Sequence, residues 1–174
     1  MEKVLIVVDV QNDFVDGTLG SSEAQAIIPA IKEKIKMYDK EARKILFTRD
    51  SHDENYLNTS EGKRLPVKHC ITGTRGHSIV DGLETKGCKY LNKPTFGYAE
   101  WDDTLKALGN PESIEMIGLD TDICVVTNAL IIKTLRPNIE ITVDAKCCAG
   151  STPERHKAAL EVMKSCQINV VEGE

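Results

Sequence analysis

The sequence lacks any long apolar run near its start. Val4 to Val8 is ended at once by Asp9, far short of a membrane span or the core of a secretory signal. The chain is therefore read as cytoplasmic, without a membrane partner. It also lacks a block of like charge, although the net charge is -5. Nucleic acid and acidic lipid surfaces are poor partners for such a surface. No Gly-x-Gly-x-x-Gly follows the first apolar run, which argues against dinucleotide binding. Repeats, low-complexity tracts and linkers are missing too, and 174 residues fit one domain spanning 1–174. Six cysteines are present, but a core of this size needs no bridges and no secretory signal is seen, so free thiols are expected.

What is present is an alternation. Short β-branched runs at Val4–Val8, Ile45–Thr48, Cys88–Leu91, Ile114–Gly118, Ile139–Val143 and Ile168–Val171 alternate with amphipathic stretches. That pattern predicts an α/β fold with a parallel sheet between helix layers. Ile28, Ile31, Ile35 and Tyr38 recur at helical spacing, with Pro29 expected in the first turn. Asp122–Leu135 reads as one buried helix. A last helix carries Ala159, Val162, Met163 and Cys166 as its apolar stripe, introduced by Ser151, Thr152, Pro153 and Glu154. Ser51–Lys86 is the one long irregular stretch. Loops beyond about 12–15 residues in compact domains are usually functional or disordered, and this one holds His52 and His69.

Ligands of open α/β sheets bind at the carboxyl ends of strands, so the residues just after each run matter most. Asp9, Asp50, Lys93 and the Asp120–Cys124 segment stand there. Cys124 falls in the first turn of a helix, where unpaired N–H groups favour thiolate; the competing explanation is a small buried hydrophobe. Asp9 ends a buried strand and needs a partner or a job. Asp13 is read as structural, bonding amides of the Gly17 turn, and Lys93 alone would pass as a surface lysine. Asp50 and His52, one residue apart in extended chain, project to the same side. With His69 and a carboxylate they offer an oxygen and nitrogen shell suited to zinc, manganese or iron. Glu61 is the chosen carboxylate, with Asp53 and Glu54 as competitors. His77 and His156 are assigned to surface or loop.

In order, Asp9 with Gln11-Asn12-Asp13-Phe14, Asp50-Ser51-His52, His69-Cys70 with Gly73-Thr74, Lys93 with Phe96-Gly97, and Gly118 through Val125 span nearly the whole chain. This series resembles the isochorismatase-like cysteine hydrolases, and among them the metal-containing nicotinamidases. The resemblance implies a six-stranded parallel sheet in a three-layer αβα fold and a triad of Asp9, Lys93 and Cys124. It also implies a cis peptide between Leu119 and Asp120, which with Cys124 would aim backbone N–H groups at an oxyanion. It places a divalent metal, zinc first, on Asp50, His52, Glu61 and His69, and puts Phe14 against the substrate. A homo-oligomer is in keeping with it. The implied reaction cleaves the C–N bond of a small amide through a thioester.

The chain departs from nicotinamidases at two places. Lys68 stands where those enzymes commonly carry an aromatic residue that stacks on the pyridine ring, and Asp120 stands where a small residue is usual. Two alternatives remain: a metal-independent cysteine hydrolase of carbamoyl or ureido compounds, and a non-catalytic small-molecule binding protein.

Overall fold

The computed structural model describes residues 2–172. Six strands, β1 (Lys3–Val8), β2 (Lys44–Asp50), β3 (Lys89–Lys93), β4 (Ser113–Leu119), β5 (Glu140–Ala149) and β6 (Asn169–Val171), form one parallel sheet in the order β3-β2-β1-β4-β5-β6. The helices are α1 (Asn12–Val15), α2 (Ser22–Lys40), α3 (Ser60–Arg64), α4 (Trp101–Ala107), α5 (Val126–Leu135) and α6 (Pro153–Ser165).

Side chains alternate along a strand, and β1 uses both faces. Val4, Ile6 and Val8 join a core closed by Trp101, Leu105, Ala129, Ile132, Leu160 and Met163 from α4, α5 and α6. Leu5 and Val7 join the opposite core, closed by Ala24, Ile31, Ile35 and Tyr38 from α2. The result is the expected three-layer α/β arrangement. Because β1 lies between β2 and β4, the chain leaves it toward opposite sides, and a crevice opens at the carboxyl ends there. Gly118 (φ +123) lets β4 approach β1 at this point, since a Cβ there would lie 2.1 Å from the carbonyl oxygen of Val8.

Several boundaries differ from expectation. α2 begins at Ser22, because Ser21 accepts a hydrogen bond from the Ala24 N–H at 3.0 Å, and Pro29 therefore sits inside the helix. The buried side of α6 is Ala159, Leu160 and Met163; Val162 and Cys166 are exposed, so the stripe is rotated toward Leu160. β5 continues well past Val143, through the polar Asp144 and Lys146 that interrupt the apolar pattern. Within Ser51–Lys86 the chain makes a short 3₁₀ turn, Tyr56–Asn58, and α3. The predicted helix over Asp122–Leu135 is split: a π turn spans Thr121–Val125 and α5 follows. The six cysteines are free. Among the described residues no helix is long and apolar enough to cross a membrane.

Candidate active site

Asp9 leaves β1 with φ +48, a left-handed conformation that aspartate tolerates better than most residues. Thr48 of β2 fixes its carboxylate by donating to Oδ1 at 2.6 Å. The last residue of β3, Lys93, lies alongside: its Nζ is 2.6 Å from Asp9 Oδ2, and both side chains are fully buried. The same Nζ lies 3.5 Å from Cys124 Sγ and 3.1 Å from the Thr95 carbonyl. Thus three strand ends, β1, β3 and β4, bring Asp9, Lys93 and Cys124 together. Lys93 is no surface lysine.

Cys124 sits in the π turn, where Asp120 O accepts from the N–H groups of both Ile123 and Val125 at 3.1 Å. Such single-turn bulges occur frequently at functional sites. The Leu119–Asp120 peptide is cis, as the resemblance implied. The surroundings oppose the thiolate expected from a helix end. Burial and the neighbouring Asp9 carboxylate hold the thiol pKa well above its ordinary value, with Lys93 opposing them. The Asp9 pKa is itself raised by burial against the pull of Lys93. Burial disfavours the Lys93 ammonium, but the charges of Asp9, Cys124 and Asp50 outweigh it and raise its pKa.

Asp50 joins this group to a second one. Its Oδ1 is 3.7 Å from Lys93 Nζ, while Oδ2 is 2.9 Å from His52 Nε2 and 3.3 Å from His69 Nε2. Glu61 Oε1 faces the same two imidazole nitrogens at 3.8 and 3.7 Å. The four ligand atoms lie within 4.8 Å of one another. Two imidazole nitrogens and two carboxylate oxygens suit a divalent transition metal. His69 supports that fit: its Nδ1 is 2.8 Å from the Val67 carbonyl, the partner that leaves Nε2 free for a metal. Glu61 also favours a nearby cation, since burial and the charge of Asp50 raise its pKa. Asp53 and Glu54, the rival carboxylates, are exposed.

The scaffold behind these residues was largely invisible in the sequence. Gln11 donates to the carbonyls of Asp50 and His77 at 2.8 and 2.9 Å and accepts from the Asp50 N–H at 2.7 Å, tying the end of β2 to the long loop. His52 holds the returning chain through its N–H to Cys70 O and its carbonyl to Thr72 N–H, which is what brings His69 beside it. Asp13 accepts from the Cys70 N–H at 2.7 Å and only at 3.4 Å from Thr18 in the turn after Gly17, so its main duty lies with the loop that carries His69. Buried Asn128 donates to the carbonyls of Cys124 and Phe96 and accepts from Tyr98 N–H and the Trp101 indole. Its four bonds lock the turn of the cysteine to the loop after Lys93. A small-to-medium polar residue in an apolar helix is the only signal it gives.

Of the two histidines assigned to surface or loop, His77 does sit in the long loop, whereas His156 is on a helix. His77 is buried, its Nε2 2.8 Å from Ser51 Oγ. His156 lies half-buried on α6, with Nδ1 2.7 Å from Thr121 Oγ1. Both are anchors of the loops that frame the site.

A cleft of about 370 Å³ opens over Cys124, walled by Phe14, Leu65, Phe96 and Ile123, with Asp50, Glu61 and His69 along one side and Asp120 in its lining. Lys68 is exposed and paired with Glu54 at 2.6 Å, so the aromatic walls are Phe14 and Phe96.

At the level of whole sequences the chain is 24% identical to a nicotinamidase of Saccharomyces cerevisiae, over 98% of this chain and 99% of that protein. A nicotinamidase/pyrazinamidase structure from Bacillus subtilis superposes with a TM-score of 0.88 at 27% identity, covering 99% of this chain and all of that one (100%). A pyrazinamidase of Pyrococcus horikoshii, solved in complex with zinc, gives 0.87 at 29% identity, with coverage of 99% and 100%. The family model for the isochorismatase domain matches residues 3–174, and with that span the chain belongs to the isochorismatase family.

Proposed function

We propose that the chain is a cysteine amidohydrolase that cleaves the C–N bond of a small primary amide. The observation that carries the reading is the buried ammonium of Lys93 held between Asp9 Oδ2 at 2.6 Å and Cys124 Sγ at 3.5 Å, with Cys124 lining an accessible cleft. The names of the nicotinamidase relatives agree with it.

In this mechanism the Cys124 thiol passes its proton to Asp9 as sulfur attacks the amide carbon. Burial raises the pKa of Asp9, which makes it a better proton acceptor than an ordinary carboxylate, and Lys93 stabilises the thiolate as it forms. The backbone N–H groups of Asp120 and Cys124 receive the developing oxyanion; one lost donor of this kind typically costs about 2.7–4 kcal/mol. The C–N bond breaks, nitrogen takes the proton from Asp9, and ammonia leaves a thioester on Cys124. Asp9 then takes a proton from water, whose oxygen attacks the thioester carbon, and the thiol regains that proton as the acid departs. Asp50, His52, Glu61 and His69 would hold a divalent ion, with zinc favoured over manganese or iron; when bound it supplies a Lewis acid beside the cleft.

Ammonia release from a panel of primary amides, nicotinamide included, tests the reading. Cys124→Ala should lower turnover by at least about 10³-fold with the circular dichroism spectrum unchanged, and retained activity refutes a cysteine nucleophile. Metal analysis of the purified protein should find a stoichiometric divalent ion that is lost in both His52→Ala and His69→Ala. Equal metal content in all three proteins moves the ion elsewhere.

A further inference from the structure

Asp120 has no structural employment. It occupies the N-cap position of the turn that carries Cys124, where aspartate ordinarily accepts a backbone N–H, yet its side chain caps nothing; only its carbonyl serves the turn. Two residues on, the Asp122 carboxylate is fully engaged, accepting from Ser151 N–H at 2.7 Å and Ser151 Oγ at 2.6 Å. No hydrogen bond from a described residue reaches the Asp120 carboxyl, and Asp120 is one of the residues that line the cleft, together with Cys124, Phe14, Phe96 and Ile123. Burial, then the charges of Asp122 and Asp9, push its pKa up to about 7. Asp120 is only partly buried, so this unpartnered carboxyl keeps access to solvent.

We propose that Asp120 is the specificity-determining residue of the cleft, its carboxylate accepting a hydrogen bond from a substrate N–H outside the scissile amide. The preferred substrates are then primary amides that also carry an amino or ureido N–H. The inference rests on the amidohydrolase reading above. A donor is favoured over an acceptor because Asp122 and Asp9 make the surroundings of Asp120 negative. The only arginine or lysine lining the cleft among the described residues, Arg155, stands exposed at its rim and bonds Ser151 Oγ at 3.3 Å. The other carboxylates lining the cleft, Asp50 and Glu61, face the imidazoles of His52 and His69, which leaves Asp120 as the carboxylate there without a partner.

The test uses matched pairs in which an amino group replaces a methyl group: ortho-, meta- and para-aminobenzamide against the corresponding methylbenzamides. For each pair the amino-to-methyl ratio of kcat/KM is measured in the native protein, Asp120→Asn and Asp120→Ala. A hydrogen bond to a charged group is worth roughly 10- to 100-fold. At least one ring position should therefore show a ratio that much higher in the native protein than in Asp120→Ala, with Asp120→Asn in between because its Oδ1 still accepts. Using the ratio removes the intrinsic reactivity of each ring and any general loss of activity. Identical ratios in native protein and Asp120→Ala at all three positions overturn the assignment of Asp120 while leaving the amidohydrolase standing. Hydrolysis of no amide in either this set or the wider panel refutes the amidohydrolase, and the selector role with it.

Discussion

Two buried lysine–carboxylate clusters sit at opposite ends of the same sheet. At the amino end Glu115 of β4 receives Lys34 at 2.6 Å on one oxygen, and Tyr38 at 2.6 Å and Lys3 at 2.8 Å on the other; Lys34 also reaches Asp144 at 2.8 Å. At the carboxyl end Lys93 meets Asp9 and the Cys124 thiol. The amino-end cluster is saturated. Burial works against the Glu115 carboxylate, but bonds from Lys3, Lys34 and Tyr38 outweigh it and lower its pKa. Its lysines keep partial contact with water, at 19% and 32% exposure, whereas Lys93 has none, at 0%. The carboxyl-end cluster instead leaves the pKa values of both Asp9 and the Cys124 thiol raised. The difference teaches that a buried ion pair by itself says nothing of function. One pair docks α2 on the sheet and the other opens onto a cleft.

Breaking each cluster at its lysine should separate the two roles. Lys93→Met strips the counter-charge from fully buried Asp9 and should cost about 3–5 kcal/mol of stability. It should also lower amide turnover by roughly 10²–10⁴-fold, read by urea denaturation and ammonia release. Asp120→Asn should act in the opposite direction on stability. Asp120 has a folded pKa of about 7 against the ordinary 3.8, so between those values the folded chain holds a proton that the unfolded chain has released. Native stability therefore falls as pH rises through this window. The variant lacks that slope and should be more stable by roughly 2–4 kcal/mol above pH 7. Parallel curves for the two proteins between pH 4 and pH 7 would mean that the carboxyl is solvated.

Lys34→Met should have the smallest effect. Glu115 keeps Lys3 and Tyr38, so a loss of about 1–3 kcal/mol is expected, with turnover unchanged once the protein is folded. A fall in turnover matching that of Lys93→Met would erase the distinction between the clusters. Glu115 also titrates with the opposite sign to Asp120. Its lowered pKa contributes stability that is present above the ordinary 4.5 and lost as pH falls through the folded value.

Much of the fold could be read from periodicity, because β-branched runs on a sheet buried on both faces leave a local signal. The start of α2 could not. Its cap is a single Ser21 hydroxyl, while Pro29 is the louder but misleading mark. The candidate site divides the same way. Asp9, Asp50, Lys93 and Cys124 stood out because polar residues follow apolar runs. Gln11, Asn128 and His77 did not, since what marks them is a set of hydrogen bonds to chain distant in sequence. The buried network of Glu115 was equally silent, its partners coming from β1, α2 and β5.

The sequence by itself determined the alternation of strands and helices, and which reactive side chains would stand at the strand ends, because both follow from local patterning. Only the tertiary structure decided what opposes a thiolate at Cys124. Local reasoning from a helix end favoured thiolate, but burial under the packed layers and the carboxylate of Asp9, delivered by a different strand, favour the thiol. Desolvation and charge depend on everything that surrounds an atom, and those surroundings exist only once the chain has folded.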